Sequence, residues 1–193
     1  GEWIDVPSEK LFAAIKKSVP DDCVIAEDLG IIDDGVRELL KATGYPGMKI
    51  LSFAFNGESD NLYLPENIEA NSVCYTGTHD NDTLIGLIRA ASDWDFNNLT
   101  RGVKNSAKTL FGEERLFKSD EELADTICEL GFACAADTFI LPMQDVLKKG
   151  GEYRVNEPGT VKPQNWAVRF EKKDFSEDSA KFLKNLAVKY KRV

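Results

Sequence analysis

The chain has one histidine among 193 residues, and its four cysteines never stand as Cys-x-x-Cys. A zinc site is disfavoured by that ligand set. Cys23, Cys74, Cys128 and Cys134 read instead as buried free thiols of a protein in a reducing cytoplasm. No run is long and apolar enough to span a membrane. The Gly-Glu-Trp start lacks the basic and apolar segments of a signal peptide. It is not a natural Met either, so the chain reads as a fragment of a longer one. Clusters of Lys and Arg are missing, and the net charge is −9. That argues against nucleic acid as a partner, because phosphate contacts need such clusters. A phosphate-binding doubly wound sheet is disfavoured as well. Gly30-Ile31-Ile32-Asp33-Asp34-Gly35 offers two glycines and two acids where a phosphate would sit.

What the chain does have is alternation. Ser8 reads as an N-cap, followed by a helix from Glu9 to Lys17, and Pro20-Asp21-Asp22 turns the chain. Val24 to Ala26 reads as a short buried strand. A helix capped by Asp33 or Asp34 then runs to Thr43-Gly44. Met48 to Phe55 reads as a second strand and Val73 to Thr76 as a third. Helix follows from Leu84 to Ala91, and again, with breaks, from Trp94 to Gly112. Asp120 reads as the cap of a helix from Glu121 to about Cys134. Thr138 to Leu141 reads as a fourth strand, and an amphipathic helix from Ser179 to Lys191 closes the chain. Strands alternating with helices predict parallel βαβ units. Four strands are too few for a closed (β/α)8 barrel, so the expectation is an α/β fold forming half of one over residues 1–193.

Two of these strands end in acids. Cys23-Val24-Ile25-Ala26 runs into Glu27-Asp28, and Val73-Cys74-Tyr75-Thr76 runs into Gly77-Thr78-His79-Asp80-Asn81-Asp82. Parallel α/β folds put their chemistry at the C-terminal ends of strands. Each residue also has a plainer reading. Glu27 fits a helix cap or a surface acid, and His79 fits a buried, hydrogen-bonded imidazole. Asp80-Asn81-Asp82 lacks the turn glycine and terminal glutamate of an EF-hand loop. Asp82 reads as an N-cap, and Phe53 and Phe55 as core. Trp94 and Trp166 fit either core or a platform for a sugar ring.

Several ordered motifs carry a more specific likeness. They are Ile25-Ala26-Glu27-Asp28-Leu29-Gly30, Gly44-Tyr45-Pro46-Gly47-Met48-Lys49, Phe53-Ala54-Phe55, Tyr75-Thr76-Gly77-Thr78-His79-Asp80-Asn81-Asp82, Pro142-Met143-Gln144-Asp145 and Arg154-Val155-Asn156-Glu157-Pro158-Gly159-Thr160, with Asn165-Trp166 after them. From about Trp3 to its end the chain resembles the C-terminal part of the amylomaltase or disproportionating-enzyme family of 4-α-glucanotransferases. The resemblance implies a (β/α)8 barrel and retaining transfer of α-1,4-glucan segments between maltooligosaccharides. It makes Glu27 the acid/base, Asp80 the stabilising carboxylate, and His79 and Asn156 substrate ligands, with no cofactor and no metal. The family's nucleophile lies in an Arg-x-Asp-His motif that is absent here. The resemblance therefore implies a missing N-terminal half of the barrel as a partner, and an isolated chain that is inactive. The alternative is a non-catalytic glucan-binding or assembly module on the same half barrel.

The physical chemistry of a retaining enzyme fits these assignments. It needs two carboxyls about 5 to 5.5 Å apart across the scissile bond. The one that protonates the leaving oxygen needs a raised pKa, which burial after an apolar strand would give Glu27.

Overall fold

A computed structural model describes residues 4, 6–20, 23–30 and 32–192. The expected turn at Asp21-Asp22 and the start of the resemblance at Trp3 lie outside them. The order is α1 (Ser8–Ser18), α2 (Asp34–Thr43), β1 (Gly47–Ile50), β2 (Ser72–Tyr75), α3 (Leu84–Ala90), α4 (Asp93–Phe111), α5 (Asp120–Ala133), β3 (Thr138–Ile140), α6 (Met143–Val146) and α7 (Glu177–Lys189). The sheet is parallel, in the order β1-β2-β3.

Register sorts the strand residues by face. Lys49, Cys74 and Phe139 are partners on one face, and Ile50, Tyr75 and Ile140 on the other. Behind the first face lies the core, where Cys74 packs with Leu84, Ile85 and Ile88 of α3, Leu99 and Val103 of α4, and Leu123, Ile127 and Leu130 of α5. Gly131 lets the Phe139 ring lie against α5; a Cβ there would meet the ring at 2.2 Å. Among the described residues the other face is more open at one end: Ile140 is 40% exposed and Met48 and Tyr75 are half-buried, while Ile50 and Val73 beside them are buried.

Sequence and structure part company at three elements and three helix caps. The first expected strand is a single bridge, Ala26 to Gly47. Past it the chain is tethered by a side chain, because Asp28 Oδ1 accepts the Met48 amide at 2.6 Å. Cys23 is therefore exposed rather than buried. The second strand stops at Ile50, where Leu51–Phe53 winds into a 3-10 turn. Leu51, Ala54 and Phe55 are core while Phe53 points out, which is helical rather than alternating spacing. The expected core role of Phe53 is thus overturned. The stretch after Trp94 is an unbroken 19-residue helix with Ser92 as its cap. Caps also shift by one residue elsewhere, from Ser8 to Pro7, from Asp82 to Thr83 and from Asp120 to Ser119. Asp33 and Gly44 bound α2 as expected. No helix among the described residues is long and apolar enough to cross a membrane.

α7 is pinned to α5 by one carboxylate. Glu129 Oε1 accepts Lys189 Nζ at 2.7 Å and the Tyr190 hydroxyl at 2.8 Å, while Oε2 lies 2.9 Å from Arg115 Nη1. Burial pushes the Glu129 pKa up, but the bonds from Lys189 and Tyr190 and the charge of Arg115 outweigh it and hold the carboxyl below its ordinary value. A carboxyl depressed in the folded state contributes stability above its unfolded pKa and loses it as pH falls through the folded one. Stability should therefore drop as the protein is acidified below about pH 4.5. Glu129→Gln should flatten part of that slope and cost about 1.5–3 kcal/mol at neutral pH. Urea unfolding of both proteins across the acid range checks this; identical slopes would contradict it.

Candidate active site

The open face of the sheet is the floor of a cleft of about 710 Å³. Glu27 enters it from the segment after the Ala26 bridge, and Phe53 from the turn after β1. His79, Asp80 and Asn81 enter from the loop after β2, and Gln144 from the start of α6. Each contributor follows the C-terminal end of a strand or bridge, where side chains escape the ladder. The two acidic strand ends that the sequence singles out therefore share one cleft.

Asp80 is the best-held of them. Residues 77–81 fold back on themselves as Asn81 Oδ1 accepts the Thr78 amide at 2.8 Å and the Thr78 hydroxyl at 2.9 Å, and Thr78 Oγ1 accepts the Asp80 amide at 3.2 Å. A second loop then grips this one. Asn156 Nδ2 donates to Asp80 Oδ1 at 2.6 Å, Arg154 Nη2 donates to the Asp80 carbonyl at 2.7 Å, and Arg154 Nε donates to the Asn156 carbonyl at 2.8 Å. The Asn156 amide also donates to the His79 carbonyl at 3.0 Å. His79 Nε2 lies 3.4 Å from Asp80 Oδ1. Among the described residues, these contacts to the carboxylate all fall on Oδ1. Asn156, expected as a sugar ligand, thus has its carboxamide on Asp80.

Glu27 is held differently. Its own side chain is exposed, and the apolar run before it does not bury it, since Ile25 is 48% exposed. The expected desolvation of Glu27 is not provided by these residues, because the strand that was to bury it is only one bridge. Its neighbour Asp28 fixes the segment, accepting the Met48 amide and lying 3.7 Å from Lys49 Nζ. Gly47 makes room for that carboxylate: a Cβ there would come within 2.6 Å of Asp28 Oδ2. Burial, and secondly the nearby Glu27 carboxylate, raise the pKa of Tyr75 on the cleft floor.

Besides Tyr75, two aromatic residues in or beside the cleft are not assigned to it by sequence. Phe53 lies on the cleft wall at 44% exposure. Trp166, left open between core and platform, is 62% exposed with its ring centroid 4.9 Å from that of His79. It sits at φ 61°, with its backbone amide donating a hydrogen bond to the Val155 carbonyl at 2.7 Å. A bulky residue in the left-handed region is strained, and such strain concentrates at functional sites. Trp94 is exposed at the start of α4 and does not line this cleft. Among the described residues, no group of three or more His, Cys, Asp or Glu is arranged to hold a metal ion.

Known proteins resemble this chain along nearly its whole length. A family described as 4-alpha-glucanotransferase matches residues 1–174. The 4-alpha-glucanotransferase of Clostridium butyricum is 39% identical over all of this chain, which spans 37% of that protein. The Thermus thermophilus enzyme of the same name is 37% identical over 97% of this chain and 36% of its own length. An amylomaltase from Streptococcus agalactiae, solved in complex with acarbose, superposes with a TM-score of 0.85 at 33% identity. That superposition covers 99% of this chain and 36% of the other. The chain thus spans a little over a third of the length of these relatives.

The Asp28 tether can be broken by a single methyl group. Gly47→Ala should force the Asp28 carboxylate off the Met48 amide, loosening the segment that presents Glu27. Overpacking of this kind costs about 1–3 kcal/mol, and urea unfolding should register it. A Gly47→Ala protein as stable as the wild type would show that the close approach is not required.

Proposed function

The chain belongs to the 4-alpha-glucanotransferase family, and from that premise we propose that it supplies the acid/base side of a retaining α-1,4-glucan transfer site. The observation that carries the reading is the shared cleft, with Glu27 on one element and a clamped Asp80 on another. Glu27 protonates the glycosidic oxygen as the bond from C1 to that oxygen breaks. A carboxylate nucleophile forms the new bond to C1, giving a glycosyl-enzyme. Glu27, now a carboxylate, takes the proton from the hydroxyl of an incoming sugar, whose oxygen then displaces the nucleophile. Two inversions at C1 leave the α configuration unchanged.

Asp80 acts through charge. Its carboxylate accepts bonds from sugar hydroxyls, and these strengthen as positive charge develops on the ring in the transition state. The Asn156 bond to Oδ1 fixes which way the carboxylate faces, and His79 beside it donates to a further hydroxyl. Trp166 and Phe53 offer apolar surfaces on which sugar rings lie, and such surfaces favour an acceptor sugar over water.

The nucleophile lies outside this sequence, in the N-terminal half of a barrel of which residues 1–193 are the C-terminal part. The absence of Arg-x-Asp-His here and the share of the relatives' length that the chain spans both support this. Closure by that half would cover the exposed face of the sheet and remove water from around Glu27. The substrates proposed are maltooligosaccharides or a longer α-1,4-glucan, in the cytoplasm.

Two sets of measurements test this. In the full-length protein, Glu27→Gln should lower transfer between maltooligosaccharides by about 10²–10⁴-fold, since Gln keeps the shape but carries no transferable proton. Asp80→Asn should lower kcat far more than it raises KM, because the contact proposed strengthens in the transition state. Near wild-type turnover in either variant would contradict its assignment. The 193 residues alone, incubated with maltotriose, should yield no shorter or longer oligomers by chromatography. Clear disproportionation by this chain by itself would place the nucleophile within it and overturn the assignment; glucan binding without turnover in the full-length protein would favour a binding module.

A further inference from the structure

The chemistry above leaves one buried acid without a role. Asp145, at 5% exposure, is the third residue of α6, next to the cleft-lining Gln144. Its Oδ2 accepts the Thr76 hydroxyl at 2.5 Å, and its Oδ1 accepts the Leu84 amide at 2.8 Å. Thr76 is the first residue past β2 and Leu84 the first residue of α3. One carboxylate therefore holds both ends of the segment that carries His79 and Asp80. Thr76 is fully buried, so neither end can exchange this bond for one to water without opening the core.

The arrangement is costly to keep. Both of these hydrogen-bond donors are neutral. Burial raises the pKa of the carboxylate, with the nearby Asp82 carboxylate adding to the rise. The Cys128 thiol on α5 also senses the charge of Asp145. A buried carboxylate carries a larger desolvation penalty than an apolar side chain of the same volume. What it provides is geometry, namely two acceptor oxygens a fixed distance apart, aimed at the two ends of one loop.

We propose that Asp145 is a positioning residue for Asp80, setting the reach of the loop between β2 and α3 so that the Asp80 carboxylate meets the developing charge on the sugar. This rests on the assignment of Asp80 made above. Asp145 touches no substrate in this reading and acts through backbone and hydroxyl contacts alone. It works alongside Arg154 and Asn156, which grip the middle of the loop, whereas Asp145 holds its ends.

The test uses the full-length protein and three variants. Asp145→Ala removes both ties, and Thr76→Val removes one while keeping the volume. Asp145→Asn keeps both, with its amide oxygen accepting from Leu84 and its amide nitrogen donating to a reoriented Thr76 hydroxyl. A displacement of about 1 Å at the reacting centre costs up to about 100-fold in rate. Asp145→Ala should therefore lose about that much in kcat with KM within about threefold of wild type, and Thr76→Val about tenfold. Asp145→Asn should restore kcat to within about threefold of wild type. The double variant Asp145→Ala with Thr76→Val should be no worse than Asp145→Ala, because the two changes break one shared bond. Hydrogen exchange should show the amides of residues 78–82 losing protection in Asp145→Ala while those of α5 keep theirs. Unchanged exchange in that loop, or an Asn variant as impaired as Ala, would overturn the positioning role. If Asp145→Ala fails to fold, Thr76→Val and Asp145→Asn still decide the matter. A wild-type protein that transfers no glucan would refute the functional reading instead, and loop exchange alone would then judge Asp145.

Discussion

β2 ends at Tyr75, and in the role proposed for Asp80 the carboxylate on the loop that follows has to be fixed in direction to answer charge developing on a sugar. The structure resolves this by bringing distant side chains to the loop. Asp145 holds Thr76 and Leu84 at the two ends, Arg154 holds the Asp80 carbonyl, and Asn156 holds the Asp80 carboxylate itself. These partners lie 61 to 76 positions away in sequence. Everything between them, α3 through β3, has to be in place first. The core of Leu84, Ile85, Val103, Ile127 and Leu130 is thus a precondition of the site as well as of the fold. Electrostatic preorganisation of this kind is how the role proposed for Asp80 would act on a charged transition state.

The candidate site was largely legible in the sequence, and the framework less so. Glu27 and Asp80 stood out because short apolar runs end in acids, and that pattern survives even where the strand does not. Val24–Ala26 fails as a strand because, among the described residues, it pairs only through the Ala26 bridge to Gly47, and Asp28 takes the Met48 amide with its side chain. Leu51 to Phe55 misleads because an apolar run fits either period, and only the burial of Leu51, Ala54 and Phe55 settles it as helical. The Asp145 and Arg154 contacts were beyond reach from sequence. Their partners are backbone groups and a threonine hydroxyl far away along the chain, and neither carries a local pattern. Trp166 could have been suspected as exposed, since it follows a run of turn-forming residues with two prolines.

The least satisfied part of the structure is the sheet face that forms the cleft floor. On the helix side Cys74 and its neighbours are closed off, while on the cleft side Ile140 and Phe53 are open to water. The same openness leaves Glu27 exposed. Both features have one physical remedy, a further set of strands closing over the face, which would bury the apolar groups and dry the acid in a single step. An uncovered parallel sheet face is otherwise unusual, since such sheets are generally covered on both sides.

In the function proposed, this chain brings the acid/base and the stabiliser while another part of the protein brings the nucleophile. Trapping the covalent intermediate tests that division most directly. The full-length protein carrying Glu27→Gln would be incubated with an activated maltosyl donor, such as a maltosyl fluoride, then quenched, digested and mapped by mass spectrometry. The expected result is a maltosyl adduct on a carboxylate upstream of residue 1, accumulating because the glutamine that replaces Glu27 cannot activate the acceptor. An adduct on Asp80, or on any other carboxylate within these 193 residues, would contradict it.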